Sequence, residues 1–327
     1  MTGTGPSFVW IDGVLRPADG QHLSVSDRAF QLGDGIFETL RAKGGRVTEL
    51  AEHVARLRRS ADGLAIELPA GLETMLEAGI ADLLAAEHLD GPDGDASVRI
   101  TVSRGAWAGR GLLPPVGEHL VATIVVQAWP VLPPPAGHLE RGLSLIASAV
   151  RRDPGNPVIA LKTTSRADYV FARIEARRAG AEDALFLTVS GHLSEATTAN
   201  IFLVRVAPDG VTELATPSLD CAILPGTTRS WLLRWGASAG LRVTEGRLTP
   251  DELVTASEAF LSSSVAGVLP VTRFHGHPIG DGVPGPWTLR ARADREAFIG
   301  DGPPAAGSAD PSAARPDSAA TRPDSGR

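Results

Sequence analysis

Apolar positions along this chain alternate with a period of two in some stretches and recur with a helical period in others, with glycine and proline punctuating the changes. Phe8-Val9-Trp10-Ile11 and Val14-Leu15 flank Asp12-Gly13, a two-residue hairpin signal. Residues 36–41 alternate as a strand and run into a turn at Lys43-Gly44-Gly45-Arg46. Leu50, Val54, Leu57, Ala61 and Leu64 then make one stripe of an amphipathic helix. His53, Arg56 and Ser60 share a different face of that helix at the same spacing. A second helix is predicted over residues 72–89, with Leu72, Leu76, Ile80, Leu83 and Leu84 toward a core, and strands follow at residues 98–102 and 120–129.

Pro133-Pro134-Pro135-Ala136-Gly137 reads as a stiff, extended linker. It divides a small N-terminal α/β domain at residues 1–130 from a large domain at residues 138–300, joined by the linker 131–137. The second half opens with a strand at residues 143–150 and an apolar run at residues 158–161 that ends at Lys162. A helix follows in which Ala167, Val170, Phe171, Ile174 and Arg178 recur at helical spacing. Residues 184–189 form a predicted strand, Ser190-Gly191 a turn, and Glu195 precedes another strand at residues 200–206. Leu224-Pro225-Gly226-Thr227-Thr228-Arg229 opens a helix, and a short strand at residues 259–261 ends in Ser262-Ser263-Ser264. From about residue 301 to 327, Pro, Ala, Gly, Ser and Asp dominate and large hydrophobes vanish, which predicts a disordered tail.

Composition changes this picture little. The 327 residues are 43% hydrophobic and 21% charged, ordinary for a soluble globular protein. A net charge of −7 argues against nucleic-acid binding and against a polybasic membrane surface. A single cysteine, Cys221, excludes an internal disulfide framework and fits a reducing compartment. The N-terminal residues lack a signal-peptide pattern and the longest apolar stretch is too short to span a bilayer, so a cytoplasmic setting is expected.

The candidate chemistry centres on Lys162 and Glu195. A lysine at the edge of an apolar run can be desolvated, which lowers its pKa and frees the amine to attack a carbonyl. Pyridoxal phosphate offers such a carbonyl, and its ring nitrogen needs an acidic partner. Taken alone, a loop lysine and a solvated glutamate are the commoner case. The Gly-Thr-Thr helix start presents free N–H groups and hydroxyls, which suits an anion or serves as a plain cap. The glycine-rich segment 103–111 carries Arg104 and Arg110, two guanidinium forks for a carboxylate or a flexible turn. His275-Gly276-His277 lacks the further ligands a metal needs, and no metal is expected.

As a set, H-x-x-R-L at residues 53–57, the K-x-x-S-R segment from Lys162, S-E-A-T-T-A-N-I-F at residues 194–202 and L-P-G-T-T-R at residues 224–229 resemble the fold-type IV pyridoxal-phosphate enzymes, the class-IV aminotransferases. The resemblance covers roughly the first 290 residues. It implies an α/β (α+β) two-domain fold, a small α/β domain plus a larger domain containing a β-barrel, with pyridoxal 5'-phosphate in the cleft between them. It also implies a homodimer acting on a small-molecule amino substrate. Lys162 matches the lysine that carries the cofactor and moves the proton, and Glu195 the acid at the pyridine nitrogen. Arg56, Thr227, Thr228 and Ser264 match phosphate contacts. Phe37, Arg104, Arg110 and Arg166 are the substrate-side candidates, with Arg110 matched to a carboxylate-binding arginine of D-amino-acid transaminases.

Branched-chain aminotransferases place an Asn-Tyr pair where this chain has Arg166-Ala167, which argues against that branch. Lys162-Thr-Thr-Ser165-Arg166 and the Gly/Arg segment look more like 4-amino-4-deoxychorismate lyases, with D-amino-acid or (R)-amine transaminases as the alternative. A non-enzymatic pyridoxal-phosphate carrier is a further alternative; the presence of both Lys162 and Glu195 weighs against it.

Overall fold

The computed structural model describes residues 5–135 and 137–302. The predicted tail therefore lies outside the described residues from 303 onward, as does Ala136 of the proline-rich segment. The first half builds one antiparallel sheet from β1 (Phe8–Ile11), β2 (Val14–Pro17), β3 (Gly35–Lys43), β4 (Arg46–Val47), β5 (Asp95–Ser103) and β6 (Thr123–Pro130), in the order β2-β1-β6-β5-β3-β4. Asp12 and Gly13 close the first hairpin with φ values of 48° and 92°, the left-handed pair that such a turn demands. Helix α1 (Arg28–Leu32) leads into β3, and α2 (Leu50–Leu64) and α3 (Leu72–Ala86) cover one face of the sheet.

Parity along β3 and β5 decides what this sheet does. In register, Phe37 faces Thr101, Thr39 faces Arg99 and Arg41 faces Ser97, all on one side. The alternate positions, Ile36, Leu40, Val98 and Ile100, are buried against Val54, Leu57 and Leu76 of the helices. Glu38 belongs to this second set, so a carboxylate sits in the apolar layer with no exposed surface. The Val54–Leu57–Ala61 stripe of α2 is buried as its spacing predicts, and so is the His53–Arg56–Ser60 face.

The second half forms a larger sheet from β7 (Leu143–Arg152), β8 (Asp183–Thr188), β9 (Leu193–Ala196), β10 (Asn200–Val206), β11 (Thr212–Pro217), β12 (Arg242–Gly246), β13 (Glu258–Ser263), β14 (Gly267–Phe274) and the short β15 (His277–Pro278). The order is β12-β11-β10-β13-β14-β7-β8-β9, with β15 on β14. It curls toward closure: Leu193 of β9 bonds Leu248, just past β12, and Ala196 bonds Ala199, just before β10. The short helices α4 (His138–Arg141) and α7 (Pro250–Val254), together with α5 (Ala167–Arg178), α6 (Thr227–Ser238) and α8 (Pro286–Asp301), complete the described chain. Helix α8 returns to the first sheet, where Glu296 pairs with Arg41 at 2.9 Å, Arg295 pairs with Glu49 at 2.7 Å and Arg46 donates to the Gly300 carbonyl at 3.2 Å.

Two local expectations are corrected. Helix α5 buries Ala172 and Ala176, whereas Val170, Phe171 and Ile174 are 58%, 49% and 40% exposed. The small alanines allow close approach to β7 and β8, so the bulkier residues turn outward. The strand expected over residues 120–129 begins at Thr123, leaving Val121 exposed. The apolar run before Lys162 is a 3-10 turn at Pro157–Ala160, and Lys162 itself is held by other contacts.

Candidate active site

Lys162 is fixed by backbone rather than by the apolar run. Its N–H donates to Ser60 Oγ at 3.1 Å, its carbonyl accepts from Phe37 N–H at 2.9 Å, and Thr164 N–H bonds the Gly35 carbonyl at 2.9 Å. The segment is thus stitched onto the entry of β3, with α2 behind it. The Nζ atom lies 4.4 Å from the Phe37 ring centre. Desolvation, and next the Arg56 guanidinium, bring the Lys162 amine down to about 7, so a large fraction is uncharged at neutral pH.

Glu195 is buried at the end of β9 and raised above the usual carboxylate range by desolvation. Its Oε2 accepts from Leu224 N–H at 2.9 Å and Asn200 Nδ2 at 3.4 Å, and its Oε1 from the Tyr169 hydroxyl at 3.3 Å. Tyr169 itself is pushed up to about 12, mainly by burial and then by the Glu195 charge, so it stays a donor. Arg166 stacks on the Tyr169 ring at 3.0 Å, and Arg152 lies 4.2 Å from the same ring.

The anion cradle stands at the start of α6. Gly226 caps the helix without a side-chain bond, leaving the first N–H groups free. A Cβ at Gly226 would meet Asn200 Oδ1 at 2.2 Å, so any larger residue in this turn would have to displace the Asn200 side chain. Thr227 Oγ lies 3.2 Å from Ser264 Oγ and 3.3 Å from His53 Nε2. Arg56 reaches the same place from α2; its Nε and Nη2 donate to Glu38 at 2.8 and 2.6 Å, and its Nη1 to the Pro225 carbonyl at 3.0 Å.

Lys162, Glu195, Arg56, Thr227, Thr228, Ser264, Phe37 and Arg166 all line one cleft of about 480 Å³ between the two sheets. Two substrate-side candidates do not. Arg104 donates to Asp34 at 2.8 and 3.0 Å and to the Leu64 and Ala65 carbonyls at the end of α2, so its guanidinium ties a helix terminus. Arg110 is exposed on its loop and outside the cleft. His275 Nε2 accepts from Ala147 N–H at 3.0 Å, a structural bond, and no group of three or more potential metal ligands occurs among the described residues.

Sequence reasoning missed Glu38, Tyr169 and Arg99. Arg99 sits on the cleft-facing side of β5 with its guanidinium 4.0 Å from the Phe37 ring centre. Burial lowers its pKa, and Arg166 lowers it further. The signal available was register: Arg99 falls at the same parity as Phe37 once β3 and β5 are paired.

The family model for amino-transferase class IV matches residues 35–274. The chain belongs to that family. Among curated relatives of this class IV amino-transferase is a putative branched-chain-amino-acid aminotransferase of Methanocaldococcus jannaschii, 34% identical over 83% of this chain and 89% of the relative. The chain spans about half the length of the branched-chain-amino-acid aminotransferase-like protein 1 of Arabidopsis thaliana, matching 48% of it at 29% identity. The T.th. branched-chain amino acid aminotransferase solved with pyridoxamine 5'-phosphate superposes with a TM-score of 0.82, at 28% identity over 93% of this chain and 97% of that one. A putative 4-amino-4-deoxychorismate lyase of Legionella pneumophila superposes at 0.71, with 27% identity over 84% and 94% of the two chains.

The family's cofactor is pyridoxal 5'-phosphate, and the donor set fits it. An amine of lowered pKa, a buried carboxylate of raised proton affinity and an uncapped helix N-terminus beside Arg56 converge on one cleft. Ser262 Oγ, on the cleft wall, is buried without a partner.

Proposed function

We propose that this class IV enzyme is a transaminase for which one substrate pair is dicarboxylic, of the glutamate/2-oxoglutarate kind. One observation carries the reading. Arg99 and Arg166 converge on Phe37 beside Lys162, and neither forms an ion pair with a carboxylate among the described residues. Two half-buried cations facing one cleft call for an anionic ligand, and a guanidinium fork fits a carboxylate. The names of the relatives support transamination over elimination, which reverses the order suggested by the Lys162–Arg166 motif alone.

Bound in this cleft, the cofactor supplies an aldehyde for the substrate amine and a ring that accepts the electron pair released from the α-carbon. Lys162, uncharged in a large fraction of molecules, takes the α-proton on Nζ and returns it. Glu195 holds a proton at the ring nitrogen, and its three hydrogen-bond donors fix its direction. Arg56, the α6 N–H groups and Ser264 hold the phosphate. Arg99 and Arg166 orient the substrate carboxylates, and Phe37 shields Lys162 from water.

The lyase reading stays second, favoured by Arg166 at the fourth position after Lys162 and by the Legionella relative. Aminodeoxychorismate also carries two carboxylates. Incubating the holoprotein with both enantiomers of alanine and leucine plus 2-oxoglutarate, and separately with aminodeoxychorismate, distinguishes the readings. Keto-acid formation that depends on 2-oxoglutarate supports transamination, whereas pyruvate with 4-aminobenzoate supports the lyase. The Arg99→Leu variant is expected to raise KM for the dicarboxylic substrate by about 10- to 100-fold, the scale of one charge-assisted hydrogen bond. An unchanged KM would refute the assignment.

A further inference from the structure

Four side chains from four parts of the fold form one hydrogen-bonded row behind the α6 N-terminus. Glu38 Oε2 is 2.7 Å from His53 Nδ1, His53 Nε2 is 3.3 Å from Thr227 Oγ, and Thr227 Oγ is 3.2 Å from Ser264 Oγ. Glu38, also paired with Arg56, is a carboxylate with no proton to give, so Nδ1 of His53 carries one. The polarity of everything beyond then depends on Nε2.

If the imidazole is neutral, Nε2 accepts and Thr227 gives it its one hydroxyl proton. Ser264 must then turn its own proton back onto Thr227, or the Thr227–Ser264 bond is lost. If the imidazole is protonated, Nε2 donates to Thr227, Thr227 donates to Ser264, and the Ser264 proton is free to face the cleft. A phosphate dianion brings acceptors only. The row can therefore serve it intact in one direction alone.

We propose that His53 is a positioning residue that takes up a proton as the cofactor's phosphate group binds, turning the Thr227 hydroxyl proton onto Ser264 and the Ser264 hydroxyl proton toward that group. The inference rests on the α6 start being the phosphate site. The charged groups around the imidazole are Glu38 from β3, Arg56 and Glu49 from α2 and its N-cap, and Arg295 from α8, paired with Glu49; Lys162 lies beyond Arg56 across the cleft. Helix α6 and the turn after β13 present the Thr227 and Ser264 hydroxyls. Without an anion, burial holds His53 below its ordinary value, with Glu38 opposing and Arg56 reinforcing the shift. An arriving dianion supplies negative charge on the Nε2 side, which favours the imidazolium.

The test is titration calorimetry of apoprotein with pyridoxamine 5'-phosphate, which has no aldehyde to condense with Lys162. Runs at pH 7.5 in buffers of different ionisation enthalpy count the protons taken up. His53→Gln puts an amide donor near Nε2 that does not titrate. The expected result is about one more proton taken up by wild type than by H53Q. Wild-type affinity should also weaken by up to about tenfold per pH unit above neutrality while H53Q stays flatter. Equal uptake and equal pH slopes would overturn the proposal. Should H53Q not fold, imidazole ¹⁵N spectra of the wild type decide, with an imidazolium signature expected only when ligand is bound and a neutral ring in both states refuting it. No binding by wild type at any pH would refute the phosphate site itself, a distinct outcome.

Discussion

Replacing Glu38 by glutamine tests the ion cluster that holds α2 against β3. The substitution keeps volume and removes only the charge. Burial alone would raise the Glu38 carboxyl, but hydrogen bonds from Arg56 and then His53 outweigh it and bring the group down to about 2 from 4.5. That difference favours the folded chain by about 3 kcal/mol at neutral pH, the range expected when one partner of a buried ion pair is removed. Urea unfolding of apoprotein at pH 7 should show E38Q destabilised by about 3 kcal/mol, with an unchanged dependence on denaturant. The pH window follows from the sign: a depressed carboxyl contributes fully above 4.5 and loses its contribution as pH falls toward 2. The gap between E38Q and wild type should therefore narrow as acid is added below pH 4.5. A loss under about 1 kcal/mol at pH 7, or a gap that does not narrow, would refute the reasoning.

Other substitutions probe the cleft directly. Lys162 sits about 7 against its ordinary 10.5, so the unfolded chain binds more protons between these values and apoprotein stability should climb as pH rises through that window. Lys162→Met should flatten that climb in thermal melts, stabilise the apoprotein at neutral pH and abolish turnover. Gly226→Ala forces a methyl against Asn200 Oδ1, so equilibrium dialysis should show pyridoxal phosphate affinity falling by at least about tenfold. Tyr169→Phe removes one 3.3 Å bond to Glu195; it should cost about 1 kcal/mol or less, read as a fall in kcat of up to about fivefold with cofactor still bound.

The legible parts of this fold were those governed by short-range rules. The Asp12-Gly13 turn, the stripe of α2 and the Gly-Thr-Thr start of α6 each follow from a few neighbouring residues, and each stands where the pattern indicates. The face of α5 was not legible, because Ala172 and Ala176 win the interior through close packing against a sheet whose strands lie elsewhere in the sequence. Arg104 shows the same limit. A guanidinium after a strand suits a substrate equally well, and only the placement of the α2 terminus beside it sends it to Asp34 and two carbonyls. Glu38 and Arg99 differ by strand parity alone, one turned to the helices and the other to the cleft, and that becomes visible only when β3 and β5 are in register.

Helix α8 carries a consequence for biosynthesis. Its Arg295 holds Glu49 at the head of α2 and donates to Thr228 Oγ at 3.3 Å, and its Glu296 grips Arg41. A ribosome has made both sheets before this segment exists. During synthesis, a nascent chain short of residue 286 lacks the piece that braces the cradle from behind, so vitamin capture should await the final stretch of translation, and nonsense truncations upstream of it should yield a colourless product.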